Sequence, residues 1–192
     1  PTDERGNKIN LACLQYQNIR GGELWGKEAP PGTAARVIEG FDPSLDLVDF
    51  ARKLPFEEKE YSGYIGADWI SVTPGKKRSA PVQNGYTISW HSHQTGDPCY
   101  FSDVDWFVFL TTRCEVSILV TECRLTIYQK MPRCDLLFPP LASPTNDWNY
   151  HLEYLRVMKK IDRLCGPASA HPIEETDLAN KIAVKINTYK TQ

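Results

Sequence analysis

His91-Ser92-His93 sets two of the chain's four histidines one residue apart. They follow a short apolar run, Tyr86 to Trp90, that reads as a strand. Alternate residues of a strand point to the same face, so both imidazoles can be offered to one ion. Downstream, Ser102 and Asp105 stand at Ser-x-x-Asp spacing where an amphipathic segment begins. A carboxylate arriving from the first turn of that helix completes a three-ligand set, and Asp97, Asp103 and Asp105 all lie in the right stretch. Three protein ligands with a fourth position left for water is the pattern of a catalytic zinc site. The chemistry such a site offers is that of a metal ion with one position open to water.

The elements that must position these residues are legible in outline. Asp42-Pro43 reads as a helix start, a capping side chain followed by proline in the first turn. Leu45, Leu47, Val48, Ala51 and Leu54 supply an apolar face, Phe50 extends it, and Pro55 ends the helix near Leu54. Two strands are expected at 60–66 and 69–72, then a polar loop over 73–84. A short helix after the histidines would pack Val104, Phe107, Val108 and Leu110 on one face. Val116 to Val120 and Arg124 to Tyr128 read as strands. The stretch 130–148 carries four prolines and reads as a long loop. Tyr150 to Leu164 is expected as a helix with a stripe of Leu152, Leu155, Met158, Ile161 and Cys165. A last helix, 173–189, is expected from Leu178, Ile182 and Ile186 at four-residue steps. Asn10 to Ile19 and Val37-Ile38 are weaker strand readings. The fold class is α/β (α+β), a central mixed sheet flanked by helices. The organisation is an N-terminal extension over 1–41, a core over 42–130, and a Pro-rich loop with C-terminal helices over 131–192 completing the same domain.

Composition narrows the classes of function. The 192 residues are 41% apolar and 24% charged, ordinary for a globular chain, and the net charge is -2. No basic stripe interleaved with aromatics points to nucleic acid. No apolar stretch approaches the length of a spanning helix, and no signal peptide is read. The six cysteines are scattered and form no Cys-x-x-Cys pair, which argues against a zinc ribbon and for a reducing, cytoplasmic setting. A second zinc site from Cys134, His151, Cys165 and His171 would need an irregular spacing, and Cys99 inside the motif loop reads as packing.

Taken together, the residues resemble the JAMM (MPN-plus) metalloprotease family. The histidine pair His91-Ser92-His93, the Ser102-Asp103-Val104-Asp105 stretch and the upstream Glu60-Tyr61-Ser62-Gly63-Tyr64-Ile65 match its pattern, with Ile88-Ser89-Trp90 as lead-in. The resemblance spans roughly residues 43–130. It departs at Gln94, where the family usually has proline, and by one additional residue between His93 and Asp105. The resemblance implies a JAMM/MPN-like (cytidine-deaminase-like) sheet, Zn2+ held by His91, His93 and Asp105, and Asp103 as the fallback third ligand. It also implies Glu60 as general base, Ser102 as donor to the oxyanion, and Ser92 as a lesser candidate beside the ligands. The implied substrate is a protein conjugate of ubiquitin or a ubiquitin-like modifier. Two alternatives stand: a non-catalytic scaffold binding partners through 130–148 and the C-terminal helices, or a hydrolase of another peptide or small molecule. Each residue alone also has an ordinary role: Glu60 as a solvated acid, Ser102 as an N-cap, Asp105 as a favourable charge at a helix start.

Overall fold

Among the described residues seven strands form one mixed sheet in the order β1-β3-β2-β4-β5-β6-β7, with helices on both faces. The structure, a computed structural model, describes residues 36–66, 68–75, 88–112, 114–139, 147–166 and 175–191. The expected strand at Asn10 to Ile19 and most of the 73–84 loop lie outside these residues. The strands are β1 (Arg36–Glu39), β2 (Tyr61–Tyr64), β3 (Trp69–Pro74), β4 (Ile88–Ser92), β5 (Val116–Val120), β6 (Arg124–Lys130) and β7 (Val184–Lys190). The helices are α1 (Pro43–Arg52), α2 (Asp103–Thr111), α3 (Pro132–Leu137), α4 (Asp147–Cys165) and α5 (Glu175–Lys181). Among the described strands only β4 and β5 run parallel, and a parallel pair needs a crossover, which α2 supplies.

Alternation along the central strands divides the core in two. Ile88 and Trp90 of β4, Val116, Ile118 and Val120 of β5, and Leu125 and Ile127 of β6 face Leu47, Val48 and Ala51 of α1. Leu119 of β5 and Tyr128 of β6 face the other way, against α2, α4 and α5. All five residues of β5 are buried, as a strand covered on both sides requires. Helix α1 starts as expected, with Asp42 accepting the Ser44 N–H at 2.9 Å and Pro43 in the first turn. Leu45, however, is 74% exposed and takes no part in the apolar face.

Four expectations are corrected. The helix expected over 173–189 is α5 followed by a strand. Ala183 takes a left-handed φ of 58° and ends the helical run, and β7 then pairs with β6 along its whole length. Val184, Ile186, Thr188 and Tyr189 are strand-formers, and the four-residue spacing of Ile182 and Ile186 bridges two elements. The loop expected over 130–148 contains α3, because Pro132 occupies the first helical turn, where its missing N–H costs nothing. On α4 the buried stripe is rotated: Val157 and Ile161 are buried, while Leu152 and Leu155 are 54% and 39% exposed. Tyr150 and Tyr154 instead pack edge-on against Phe107 of α2, at 5.0 and 5.5 Å between ring centres. On α2, Val104 turns outward, and Trp106 and Phe109 join Phe107 and Leu110 inside. Val37-Ile38 is a strand, and β1 pairs antiparallel with β3.

One contact fixes how β2, β3 and β4 sit together. Gly63 of β2 lies opposite Trp90 of β4, and the Trp90 indole N–H crosses it to the Ser71 carbonyl of β3 at 2.9 Å. A Cβ at Gly63 would stand 1.8 Å from that carbonyl oxygen and 2.7 Å from the indole nitrogen. Both neighbours belong to the buried sheet, so neither can yield cheaply. Gly63→Ala is expected to cost about 3 kcal/mol or more, the upper end of overpacking penalties, and thermal melts of the purified variant measure it. A variant as stable as the parent would show that this crossing is looser than described.

Candidate metal centre

The site forms where β4 ends and α2 begins. On β4, Ile88, Trp90 and Ser92 bury toward α1, which leaves Ser89 and His91 on the opposite face. The pairing with β5 continues one residue beyond β4, since the His93 N–H donates to the Val120 carbonyl at 3.2 Å. His93 therefore shares the face of His91, and the two ring centres are 5.1 Å apart. The chain then closes a turn at Gln94–Asp97, with Gly96 at a φ of 89° that only glycine adopts readily.

Ser102 caps α2 and brings in the third group. Its hydroxyl accepts the Asp105 N–H at 3.1 Å, and the Asp105 carboxylate accepts the Ser102 N–H at 2.9 Å. This reciprocal capping box turns the Asp105 side chain back past the helix start. Each carboxylate oxygen meets one imidazole: Oδ1 lies 3.2 Å from His91 Nε2, and Oδ2 lies 2.9 Å from His93 Nε2. The spacing delivers Asp105. Asp103 is exposed on the outer side of α2, and Asp97 stays outside the group.

These three residues could hold a metal ion: their donor atoms all lie within 4.8 Å of one another. A tetrahedral ion with bonds near 2.0–2.2 Å keeps its ligand atoms roughly 3.3 Å apart, and the two imidazole nitrogens lie 3.2 and 2.9 Å from the nearer carboxylate oxygen. The donor atoms themselves favour an ion. His91 Nε2 is buried and has no hydrogen-bond partner, because its approach to Asp105 Oδ1 has ion-pair distance without hydrogen-bond alignment. His93 Nδ1 donates to the Pro98 carbonyl at 2.7 Å, which leaves the Nε2 lone pair directed at the centre.

Register brings Glu60 to the same face. Ser62 of β2 pairs with His91, so the residue two before Ser62 falls opposite position 93 on the same side of the sheet. The fields of His91, His93 and Asp105 all act on the Glu60 carboxyl, which is not one of the three grouped donors. Burial raises its pKa above the ordinary glutamate value, Asp105 and Asp97 add to this, and the two histidines oppose it. Ser92 lies on the other face, buried, and its hydroxyl accepts the Tyr61 N–H at 2.9 Å. It ties β2 to β4 next to Glu60 and does not face the donors. Gln94 has a related role: its side-chain amide donates to the Glu57 carbonyl at 3.0 Å, and the Thr95 N–H donates to the Phe56 carbonyl at 3.1 Å. Proline at 94 would lack that side-chain donor.

Electrostatics sort the groups. Burial alone would raise the Asp105 pKa, but the charge of His91 and its close approach, the hydrogen bond with His93 and the Ser102 N–H hold it far below the carboxylate range. For His93, burial disfavours the charged ring. The hydrogen bonds to Asp105 and Pro98 and the charges of Asp105 and Glu60 outweigh it and hold the pKa above the ordinary value.

A support behind the site has no motif signal. Phe101 lies face-on to His91 at 5.7 Å and stacks on Tyr128 at 3.6 Å. Glu175 of α5 accepts both the Phe101 N–H, at 3.1 Å, and the Tyr128 hydroxyl. An aromatic residue just before the Ser-x-x-Asp was a usable hint for Phe101, whereas Glu175 stands 74 residues farther on. Cys134, His151 and Cys165 form no donor group among the described residues, and His171 lies outside them. Among the described residues no helix is long and apolar enough to cross a membrane. Comparison with protein-family models, curated proteins and solved structures finds no match to this chain.

Two consequences follow for metal binding. A saturating divalent ion at 100 times its Kd should stabilise the fold by about 2.7 kcal/mol, and His91→Ala or Asp105→Ala should remove that shift in thermal melts. The ion needs neutral imidazoles, so its affinity should fall about tenfold per pH unit once the pH drops below the raised pKa of His93. Without metal the sign differs. The His93 contribution is full below about pH 6.5 and is lost as pH rises through its raised folded value. The Asp105 contribution is full above about pH 3.9 and is lost as pH falls through its lowered folded value. The metal-induced rise in Tm should therefore grow from pH 5.5 to 8.

Proposed function

We propose that the chain is a zinc-dependent hydrolase of the JAMM (MPN-plus) type that cleaves peptide or isopeptide bonds. Its substrate on this reading is a conjugate or precursor of ubiquitin or a ubiquitin-like modifier. The observation that supports it most is the convergence of Glu60, His91, His93, Ser102 and Asp105 on one side of the sheet from three separate elements. The modifier as substrate rests on the resemblance in the sequence alone.

His91, His93 and Asp105 would hold the zinc, which supplies Lewis-acid polarisation and lowers the pKa of a bound water from 15.7 toward about 7. The same donor set holds Fe(II) in some oxygenases. Glu60 argues for hydrolysis, because an acid beside the ligands but outside them is suited to moving protons. Its carboxylate takes the proton of the attacking water and passes it to the departing nitrogen. Its raised pKa brings it nearer the working pH, which favours both transfers. The Ser102 hydroxyl accepts the Asp105 N–H, so its own proton is available to the oxyanion that forms as the carbonyl is attacked. Its exposed position at the helix start leaves room for a substrate.

A second reading, a scaffold of the same fold, is favoured by Leu136 on α3 and Leu152 and Leu155 on α4, which are exposed and suited to a protein partner. Metal content separates the two, since a scaffold has no need of stoichiometric zinc.

With a modifier joined to a lysine side chain as substrate, Glu60→Gln should lower kcat by about 10²–10⁴ while zinc stays bound. Ser102→Ala should lower kcat by roughly 10²–10³ and cost about 1 kcal/mol of stability through the lost cap. The base must be ionised, so with zinc kept saturating at each pH, activity should fall as pH drops through the raised pKa of Glu60, and Glu60→Gln should abolish that limb. Full activity in zinc-loaded Glu60→Gln would sink the assigned role.

A further inference from the structure

We infer that Cys99 and Cys123 form a reversible disulfide that pins the loop between the metal ligands to the β5–β6 turn. The inference does not depend on the hydrolase reading. The two sulfur atoms lie 3.2 Å apart, and both residues are free thiols. Cys99 belongs to the loop that joins His93 to Ser102, and Cys123 belongs to the turn between β5 and β6.

Neighbouring contacts already hold these two segments together. Arg124 donates from Nε and Nη2 to the Cys99 carbonyl at 3.3 and 2.9 Å. Thr95 donates its hydroxyl to the Glu122 carboxylate, and the His93 N–H reaches Val120. The thiols therefore face each other across an interface that is fixed on both sides, and closing the bond needs little further ordering. Cys114 and Cys134, in contrast, are buried, and Cys114 is engaged with the Ser89 hydroxyl at 3.1 Å and the Val116 carbonyl at 2.8 Å.

Exposure sets the order of events. Cys123 is exposed and meets the oxidant, whereas Cys99 is partly covered and completes the bond. The oxidant is a low-molecular-weight disulfide of the glutathione type. The Cys123 thiolate attacks one of its sulfurs, forming a mixed disulfide and expelling one small thiol. The Cys99 thiolate then attacks the Cys123 sulfur and expels the second small thiol. Two protein S–H bonds are lost, one protein S–S bond is made, and the reagent is reduced to two thiols.

The bond would restrain a loop that carries both the Pro98 carbonyl behind His93 and the Ser102 cap. Closing a loop of this length restricts the unfolded chain, and the expected rise in Tm is about 5–10 °C. The test uses the metal-free 192-residue chain equilibrated with glutathione and glutathione disulfide at varied ratios, then mapped by mass spectrometry without reduction. The expected result is a linked pair of peptides containing Cys99 and Cys123, two hydrogens lighter than their sum, with the higher Tm. Cys123→Ser and Cys99→Ser should each abolish both changes. Links to other cysteines, a persistent glutathione adduct on Cys123 beside free Cys99, or a linked chain with unchanged Tm would each overturn the inference. Because no metal or substrate is present, failure here leaves the hydrolase reading to its own tests.

Discussion

The Asp105 carboxylate serves three partners at once, and the site depends on its doing so. It closes the cap of α2 by accepting the Ser102 N–H, and its two oxygens meet the two imidazoles. A carboxylate at a helix N-terminus is favoured by the aligned peptide dipoles, so the charge that would hold an ion also helps start the helix. The cap in turn fixes where the side chain points. Helix formation and ligand placement are therefore one local event, and α2 cannot start one residue earlier or later without moving the carboxylate off the histidines.

The sheet performs the corresponding task for the other groups. The β4–β5 pairing runs on to His93, which puts both imidazoles on one face. The β2–β4 register carries Glu60 to the same side, and it is secured by Trp90 crossing Gly63 and by Ser92 holding Tyr61. None of these ties touches the donor atoms. They act by fixing the strand on which a donor or base rides, in the way that outer groups set the orientation of inner ones. Phe101, Tyr128 and Glu175 support the His91 ring from the helical side.

Much of the site was legible in the sequence because its signals are local. His91, His93, Ser102 and Asp105 lie within one strand–loop–helix passage, where a period of two and a capping pattern are enough to predict convergence. Glu60 was legible only through its spacing to Gly63, and the reason for that glycine, an indole crossing above it, needs three strands in place. Phe101 and Glu175 were not singled out, since their contacts join residues that are distant in the chain. The C-terminal strand β7 is masked in the sequence because Leu178, Ile182 and Ile186 mimic a helical period, while pairing with β6 decides the outcome. On α4 the leucines suggested one face, but tyrosines pack against Phe107, because a ring with a polar tip can bury its body and keep its hydroxyl wet.

X-ray absorption at the zinc edge of the zinc-loaded chain tests the central claim most directly, because it reads the ligand atoms themselves. Two imidazoles and a carboxylate predict a shell of nitrogen and oxygen near 2.0–2.2 Å with imidazole scattering and no sulfur. A sulfur shell near 2.3 Å, or a chain that retains no stoichiometric zinc, would contradict it.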